Sequence, residues 1–377
     1  MHQQTLDTAT DFLFGTSVNS LDPNATDASK HFAWAFDYAL GCIAQKMRLG
    51  KLNWVFQDRK FDEACKYIHE YVQPLIEEAV KFRQAQGYLD SKETIASRSI
   101  LAAAQKRSKL PDAEKTPLLK TDTIAEAPNE ERYVFLYELA KQTGDVQELR
   151  DHVINTLIAG RDTTAALMSS TIFTVSRRPD IWAKLQAEIA PLNGHPPTFE
   201  QIQDMVYLKR VLKEVLRLYT VVPINAKFAN KDTMIPKGGG PDGESPIFIH
   251  KGQMVVWNTY AMHRREDLWG KDAAEFRPER WEGLLPGFSY LPFNGGPRVC
   301  PGEIHPYYFV FTLSALMACP NGVLGQQFAL TEASYTLTRV FQAFSKIEVV
   351  PEDVHKPWIE NLTLTCAVNG VNVKCWK

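Results

Sequence analysis

The chain has 377 residues, with 42 Lys and Arg against 44 Asp and Glu for a formal net charge of −2. That balance gives no reason to expect nucleic acid as a partner. At 45% hydrophobic, 23% charged and 11% aromatic, the composition is that of a folded globular chain and excludes a disordered or fibrous one.

The N-terminal stretch MHQQTLDTATDFLFG has neither the basic and apolar segments of a signal peptide nor an anchor. Apolar residues then recur at helical spacing over 6–82, as in HFAWAFDYALGCIAQKM (31–47) and in 61–82, which predicts several amphipathic helices. Residues 91–132 are rich in Lys, Glu, Pro, Ser and Thr and read as a solvated connection. A short helical piece from Tyr133 precedes 145–177, a stretch without proline that ends before Pro179. As one helix it would run roughly 50 Å at about 1.5 Å per residue. A second strong helix is predicted over 203–219, with Met205, Leu208, Leu212, Val215 and Leu216 on one stripe and Pro223 beyond its end.

From 224 to 257 the pattern changes to short β-type runs, 247–249 and 254–257, separated by turns such as KGGGPDGESP, and a small sheet is expected. A turn-rich meander leads to Gly296, after which a helix is expected at 326–344 and a terminal hairpin at 362–375. The apolar run 307–319 is well short of the roughly 20 residues that span a bilayer. Six cysteines, Cys42, Cys65, Cys300, Cys319, Cys366 and Cys375, form no CxxC pair, so neither a disulfide framework nor a zinc site is expected. The fold class is mainly α with a small β region.

Four places carry chemistry. In FNGGPRVCPG (293–302), one cysteine sits among three glycines and an arginine. Glycine lets the backbone approach a flat ligand, a thiolate can bind a metal, and an arginine can neutralise a carboxylate. In AGRDTT (159–164), Gly160 and the pair Thr163 and Thr164 weaken the long helix. The Thr163 hydroxyl can bond the carbonyl of Ala159 and open a groove able to hold dioxygen and a water. Glu214 and Arg217, spaced i, i+3, can pair on their helix, which by itself is ordinary. His263, in AMHRRED, is read as a surface or capping histidine.

Taken together, these segments resemble the cytochrome P450 family of haem-thiolate monooxygenases, whose haem loop follows F-x-x-G-x-R-x-C-x-G. Phe293, Gly296, Arg298, Cys300 and Gly302 match every fixed position. The resemblance implies that Cys300 is the axial ligand of a haem b iron, favouring O–O cleavage, and that Arg298 binds a haem propionate. It implies that Asp162 and Thr163, matching A-G-x-D-T-T, relay protons to bound oxygen. Glu214 and Arg217 match the family's E-x-x-R helix, and Arg280 in FRPERW becomes the third member of a structural cluster that holds the haem loop. Lys227, in NAKF, stands where relatives often carry an arginine toward a propionate, keeping the charge but losing the fork.

The resemblance covers the chain as a single domain, 1–377, and is closest to fungal hydroxylases of n-alkanes and fatty acids, through PKGGGPDGESPIFIHKG, NTYAMHRREDLWG and FRPERW. It implies insertion of one oxygen atom of O₂ into a C–H bond of a lipophilic substrate. Electrons would come from NADPH through NADPH–cytochrome P450 reductase, at the endoplasmic reticulum membrane. The rival expectation is a truncated, non-catalytic remnant that does not hold haem. By the same resemblance the chain is incomplete at its N-terminus, lacking the anchor, the first strands and a helix with a W-x-x-x-R haem contact.

Residues 303–325, EIHPYYFVFTLSALMACPNGVLG, separate the cysteine loop from the helix that follows it directly in the family. Excision joins Gly302 to Gln326 as CPGQQFALTEASYTL, and Gly-Glu, Pro-Asn and Leu-Gly are compatible with splice signals. This segment is expected to be a non-native insert, a retained intron, rather than a family-specific loop, whose exposed apolar surface would favour aggregation.

Overall fold

The computed structural model describes residues 1–88, 133–296, 299–300, 325–355 and 371–377. The connection at 91–132, the apolar run 307–319, all of the expected insert but Gly325, and residues 362–370 of the expected hairpin lie outside the described residues. The chain is mainly helical with small β elements and divides into two units.

The first unit, described here over Met1–Ala165, is built from amphipathic helices. Helix α1 (His2–Phe14) buries Leu6, Ala9, Leu13 and Phe14 and stops at Gly15 in the left-handed region. Helix α2 (Asp27–Leu49) runs into a 3₁₀ turn at Gly50–Val55. Helix α3 (Arg59–Ala85) starts at Asp58, whose side chain accepts the N–H groups of Lys60 and Phe61 and so satisfies two donors of the first turn. Its buried stripe of Ala64, Ile68, Val72, Leu75, Ile76 and Ala79 packs with Phe32 and Phe36 of α2. Leu136 of α4 (Phe135–Ala140) and Leu149, Val153 and Leu157 join the same core. Each Val, Leu, Ile or Phe side chain among these contributes about 1.5–3 kcal/mol through burial.

Helix α5 (Val146–Val175) is one uninterrupted element of 30 residues, matching the predicted 145–177 to within two residues at each end. It begins in the first unit and continues into the second, which holds Ala166–Cys300 and Gln326–Lys377.

In the second unit, α6 (Pro179–Ile189) buries Ile181, Trp182, Leu185 and Ile189. The single helix expected over 203–219 is instead two, α7 (Phe199–Asp204) and α8 (Val206–Leu218), parted by Met205 at ψ 86°. One external partner, Glu188, explains the break, and a local cap fixes the start of α7. Thr198 and Gln201 form a capping box on α7, and the Glu188 carboxylate from α6 accepts the N–H groups of Tyr207 and Leu208 at 2.6 and 2.8 Å, starting α8 afresh. The predicted stripe of Met205, Leu208, Leu212, Val215 and Leu216 is buried throughout.

The expected small sheet is two separate antiparallel pairs, β1 (Ile224–Phe228) with β4 (Met254–Asn258) and β2 (Thr233–Gly239) with β3 (Ser245–Ile249). The β2–β3 register shifts between Ile235 and Gly239, and Gly238, Gly240 and Gly243 all take positive φ where the hairpin turns. Short helices α9 (Thr259–Met262) and α10 (Glu266–Trp269) lead into the meander. Helix α11 (Gly325–Ala343), expected at 326–344, buries Ala333, Leu337 and Phe341, the last edge-on to Trp182 at 5.3 Å. Of the expected terminal hairpin only residues 371–375 are described. β6 (Val373–Trp376) lies antiparallel to β5 (Lys346–Val349), the strand that directly follows α11.

Candidate functional site

The second unit brings Glu214, Arg217 and Arg280 together in its interior. Glu214 and Arg217 face the same side of α8, and their pair is a two-pronged one, Nε to Oε2 at 2.9 Å and Nη2 to Oε1 at 2.8 Å. Arg280, at the end of the FRPERW turn, donates Nε to Glu214 Oε1 at 3.1 Å. The carboxylate also accepts Trp281 Nε1 at 3.0 Å and the backbone N–H of Arg277 at 3.0 Å. The guanidinium donors that remain go to carbonyls of the meander. Arg217 reaches His263 and Ala273, and Arg280 reaches Trp269 and Asp272. Arg280 further donates to the Asp272 carboxyl, which it holds below the usual carboxylate range. Buried charges persist when every donor and acceptor is paired in this way.

The meander thus anchored runs on to the cysteine loop. Asn294 and Gly296 both adopt positive φ, 66° and 74°, and reverse the chain so that the Cys300 N–H donates to the Phe293 carbonyl at 2.8 Å. The Val299 N–H donates to Gly296 across the tip. Phe293 and Cys300 are half-buried, and the Cys300 thiol is in no disulfide. Arg298 and Gly302 lie outside the described residues. Lys227 is exposed on β1, its ammonium 5.7 Å from the Trp257 ring.

Among the described residues no three His, Cys, Asp or Glu side chains gather where a metal ion could sit. An iron held by one thiolate must take its other ligands from elsewhere, and the four ring nitrogens of a haem are such a set.

In the first unit the Thr163 hydroxyl donates to the Ala159 carbonyl at 2.6 Å. Helix α5 nevertheless stays continuous here, so the expected opening of the helix is not a break in it. Room is present instead beside Gly160, where an added Cβ would meet no described atom within 4 Å apart from its chain neighbours and the backbone of its own helix. Asp162 receives Arg161 Nη1 at 2.9 Å and lies 3.5 Å from His2 Nδ1. Arg161, buried, also pairs with Asp37 of α2.

His263 does cap the C-terminal end of α9, as one of its two expected roles had it, but the surface alternative is overturned: the ring is fully buried, lying between Thr220, Tyr290 and Trp269. Its spacing of four from buried Thr259 was the signal available in sequence. Asp272, Trp281 and Arg161 were also missed as partners, though Trp281 adjoins Arg280 and Arg161 adjoins Asp162.

Residues 1–304 match the family model described as Cytochrome P450. Cytochrome P450 52E1 of Candida apicola is 37% identical over 94% of this chain and 59% of its own length. Cytochrome P450 monooxygenase himC of Aspergillus japonicus is 38% identical over 98% of this chain and 56% of its own. Cytochrome P450 52A10 of Candida maltosa is 38% identical over 98% of this chain and 63% of its own. The chain belongs to the cytochrome P450 family, and it spans about 60% of the length of these curated relatives.

Proposed function

We propose that this cytochrome P450 family member is a haem-thiolate monooxygenase that hydroxylates an alkane or fatty acid, with Cys300 as the iron ligand. The observation that carries this reading is the loop from Phe293 to Cys300, folded back by its own hydrogen bond so that the Cys300 thiol stands at its end. A haem bound there supplies dioxygen activation for insertion of one oxygen atom into a C–H bond.

The chain's own residues do the rest. Cys300 donates charge as a thiolate, and the anchored meander keeps its loop in register. The Thr163 proton is committed to the Ala159 carbonyl, which leaves its oxygen free to accept from a water or other proton-bearing group beside it. Asp162, partly exposed and bound by Arg161, can exchange protons with solvent. Arg298 and Lys227 supply positive charge for propionates. Reductase-delivered electrons from NADPH and location at the endoplasmic reticulum membrane belong to the same proposal. Among the described residues no helix is long and apolar enough to cross a membrane.

The two units are proposed to be parts of one domain, since the family match runs through the first and most of the second. Residues 303–325 are proposed to be a retained intron. The reading is tested by incubating the haem-loaded protein with reductase, NADPH, a fatty acid and heavy-isotope dioxygen. Hydroxylated product carrying the label is expected; haem-loaded protein that yields none contradicts the reading, and protein that takes up no haem favours the non-catalytic remnant.

A further inference from the structure

The buried ring of His263 is used by nothing in the proposed chemistry, yet both of its nitrogens are engaged. The backbone N–H of Leu291 points at Nε2 from 2.9 Å, so Nε2 is an acceptor and carries no proton. A neutral ring then has its proton on Nδ1, which lies 3.1 Å from the Thr220 hydroxyl oxygen. That hydroxyl in turn donates to the Arg217 carbonyl at 3.0 Å, so its oxygen is available to accept. With the ring proton on Nδ1, the contacts run from Leu291 N–H to His263, from His263 to Thr220 and from Thr220 to the end of α8. The His263 carbonyl meanwhile accepts Arg217 Nη1 at 2.8 Å, tying the same residue to the Glu214 cluster.

Leu291 is where the cysteine loop begins. Its carbonyl accepts the N–H of Asn294, and its Cδ2 atom would stand 3.2 Å from a Cβ added at Gly295, so the loop is folded closely over it. From there the Phe293 to Cys300 bond closes the loop. We infer that His263 is a positioning residue, a neutral pin that fastens the root of the Cys300 loop to the end of α8 through Leu291 and Thr220. Its importance for chemistry rests on the reading of Cys300 as the iron ligand; the pin itself does not.

The surroundings keep the ring in the form the pin needs. Burial, with Trp269 and Tyr290 flanking the ring, pushes its pKa down to about 4; the Arg217 and Arg264 charges act the same way, and together these outweigh backbone hydrogen bonds at Arg217 and Leu216 that favour the proton. A proton on Nε2 would face the Leu291 N–H donor to donor and release the loop.

The test needs no haem. Amide hydrogen exchange of the full chain is read by mass spectrometry over 291–300 and, as an internal standard, over 206–218. In His263→Phe, exchange over 291–300 should rise about ten-fold while 206–218 stays unchanged, the loss expected for one buried bond. His263→Gln, which keeps an acceptor near the Nε2 position, should restore protection to within about three-fold. Thr220→Val, which removes the Nδ1 acceptor, should loosen 291–300 without touching 206–218, and it decides the matter if the Phe variant does not fold. Unchanged exchange over 291–300 in the folded variants, an equal rise over 206–218, or a Gln variant as loose as Phe overturns the inference.

A second readout addresses the thiolate. In haem-loaded protein, His263→Phe should lower the thiolate-type fraction of the reduced CO spectrum and His263→Gln should recover it. A wild-type protein with no such spectrum but a protected 291–300 segment would remove Cys300 as ligand and leave the pin standing.

Discussion

Arg280 Nε stands 3.1 Å from Glu214 Oε1 across 66 positions of chain, with both side chains out of solvent. Among the described residues Glu214 is the single negative partner of Arg217, and it is shared with Arg280, so its removal leaves the Arg217 charge without a carboxylate and Arg280 with Asp272 alone. Glu214→Ala should lower the unfolding free energy by about 3–5 kcal/mol in urea denaturation, the cost of a buried charge left without its partner. A loss below about 1 kcal/mol would contradict the burial of this cluster.

Much of this arrangement was legible because spacing fixes it. Glu214 and Arg217 share a helix face at i, i+3, and the hydrophobic stripe of the same helix says which face is inward. Arg280 could be added only because its FRPERW segment resembles a family segment. Nothing in local spacing brings residues 66 apart together. The break at Met205 escaped because its cause, Glu188, lies on another helix and overrides an unbroken helical pattern. Polar residues whose partners are backbone groups were hardest to read. His263 binds a backbone N–H 28 residues downstream, and an amide leaves no trace in the sequence.

Thr163→Ala should separate two effects. Removing the bond to Ala159 and a β-branched side chain from mid-helix should raise stability by a few tenths of a kcal/mol, roughly, in thermal unfolding. In haem-loaded protein the same change should leave haem bound and divert reducing equivalents to peroxide or water, lowering product per NADPH several-fold, about the scale of one lost proton-transfer group. Coupling equal to wild type would remove Thr163 from proton delivery.

The His263 pin makes stability depend on pH with a definite sign. The folded ring titrates near 4 and the unfolded one near 6.5, so between these values the unfolded chain binds more protons. The contribution is complete above pH 6.5 and is lost as pH falls from 6.5 toward 4, by about 3 kcal/mol in total. His263→Gln should flatten that limb of the stability profile. A variant profile parallel to wild type over this window would show that His263 is not the group responsible.

Deleting residues 303–325 should improve haem binding, because it joins the cysteine loop directly to α11, whose N-terminal end would then favour a nearby thiolate. Haem retained after gel filtration is the measurement, alongside the transcript sequence. Mature messenger RNA that uniformly keeps these codons, together with undiminished haem binding by the chain that carries them, would end the intron reading.

The central claim is that Cys300 binds iron as a thiolate, and the absorption spectrum of reduced, CO-treated protein tests it most directly. In protein freed of residues 303–325 and loaded with haem, the wild-type chain should give the thiolate-type spectrum, Cys65→Ser should retain it, and Cys300→Ser should lose it entirely. Persistence of that spectrum in Cys300→Ser would contradict the account.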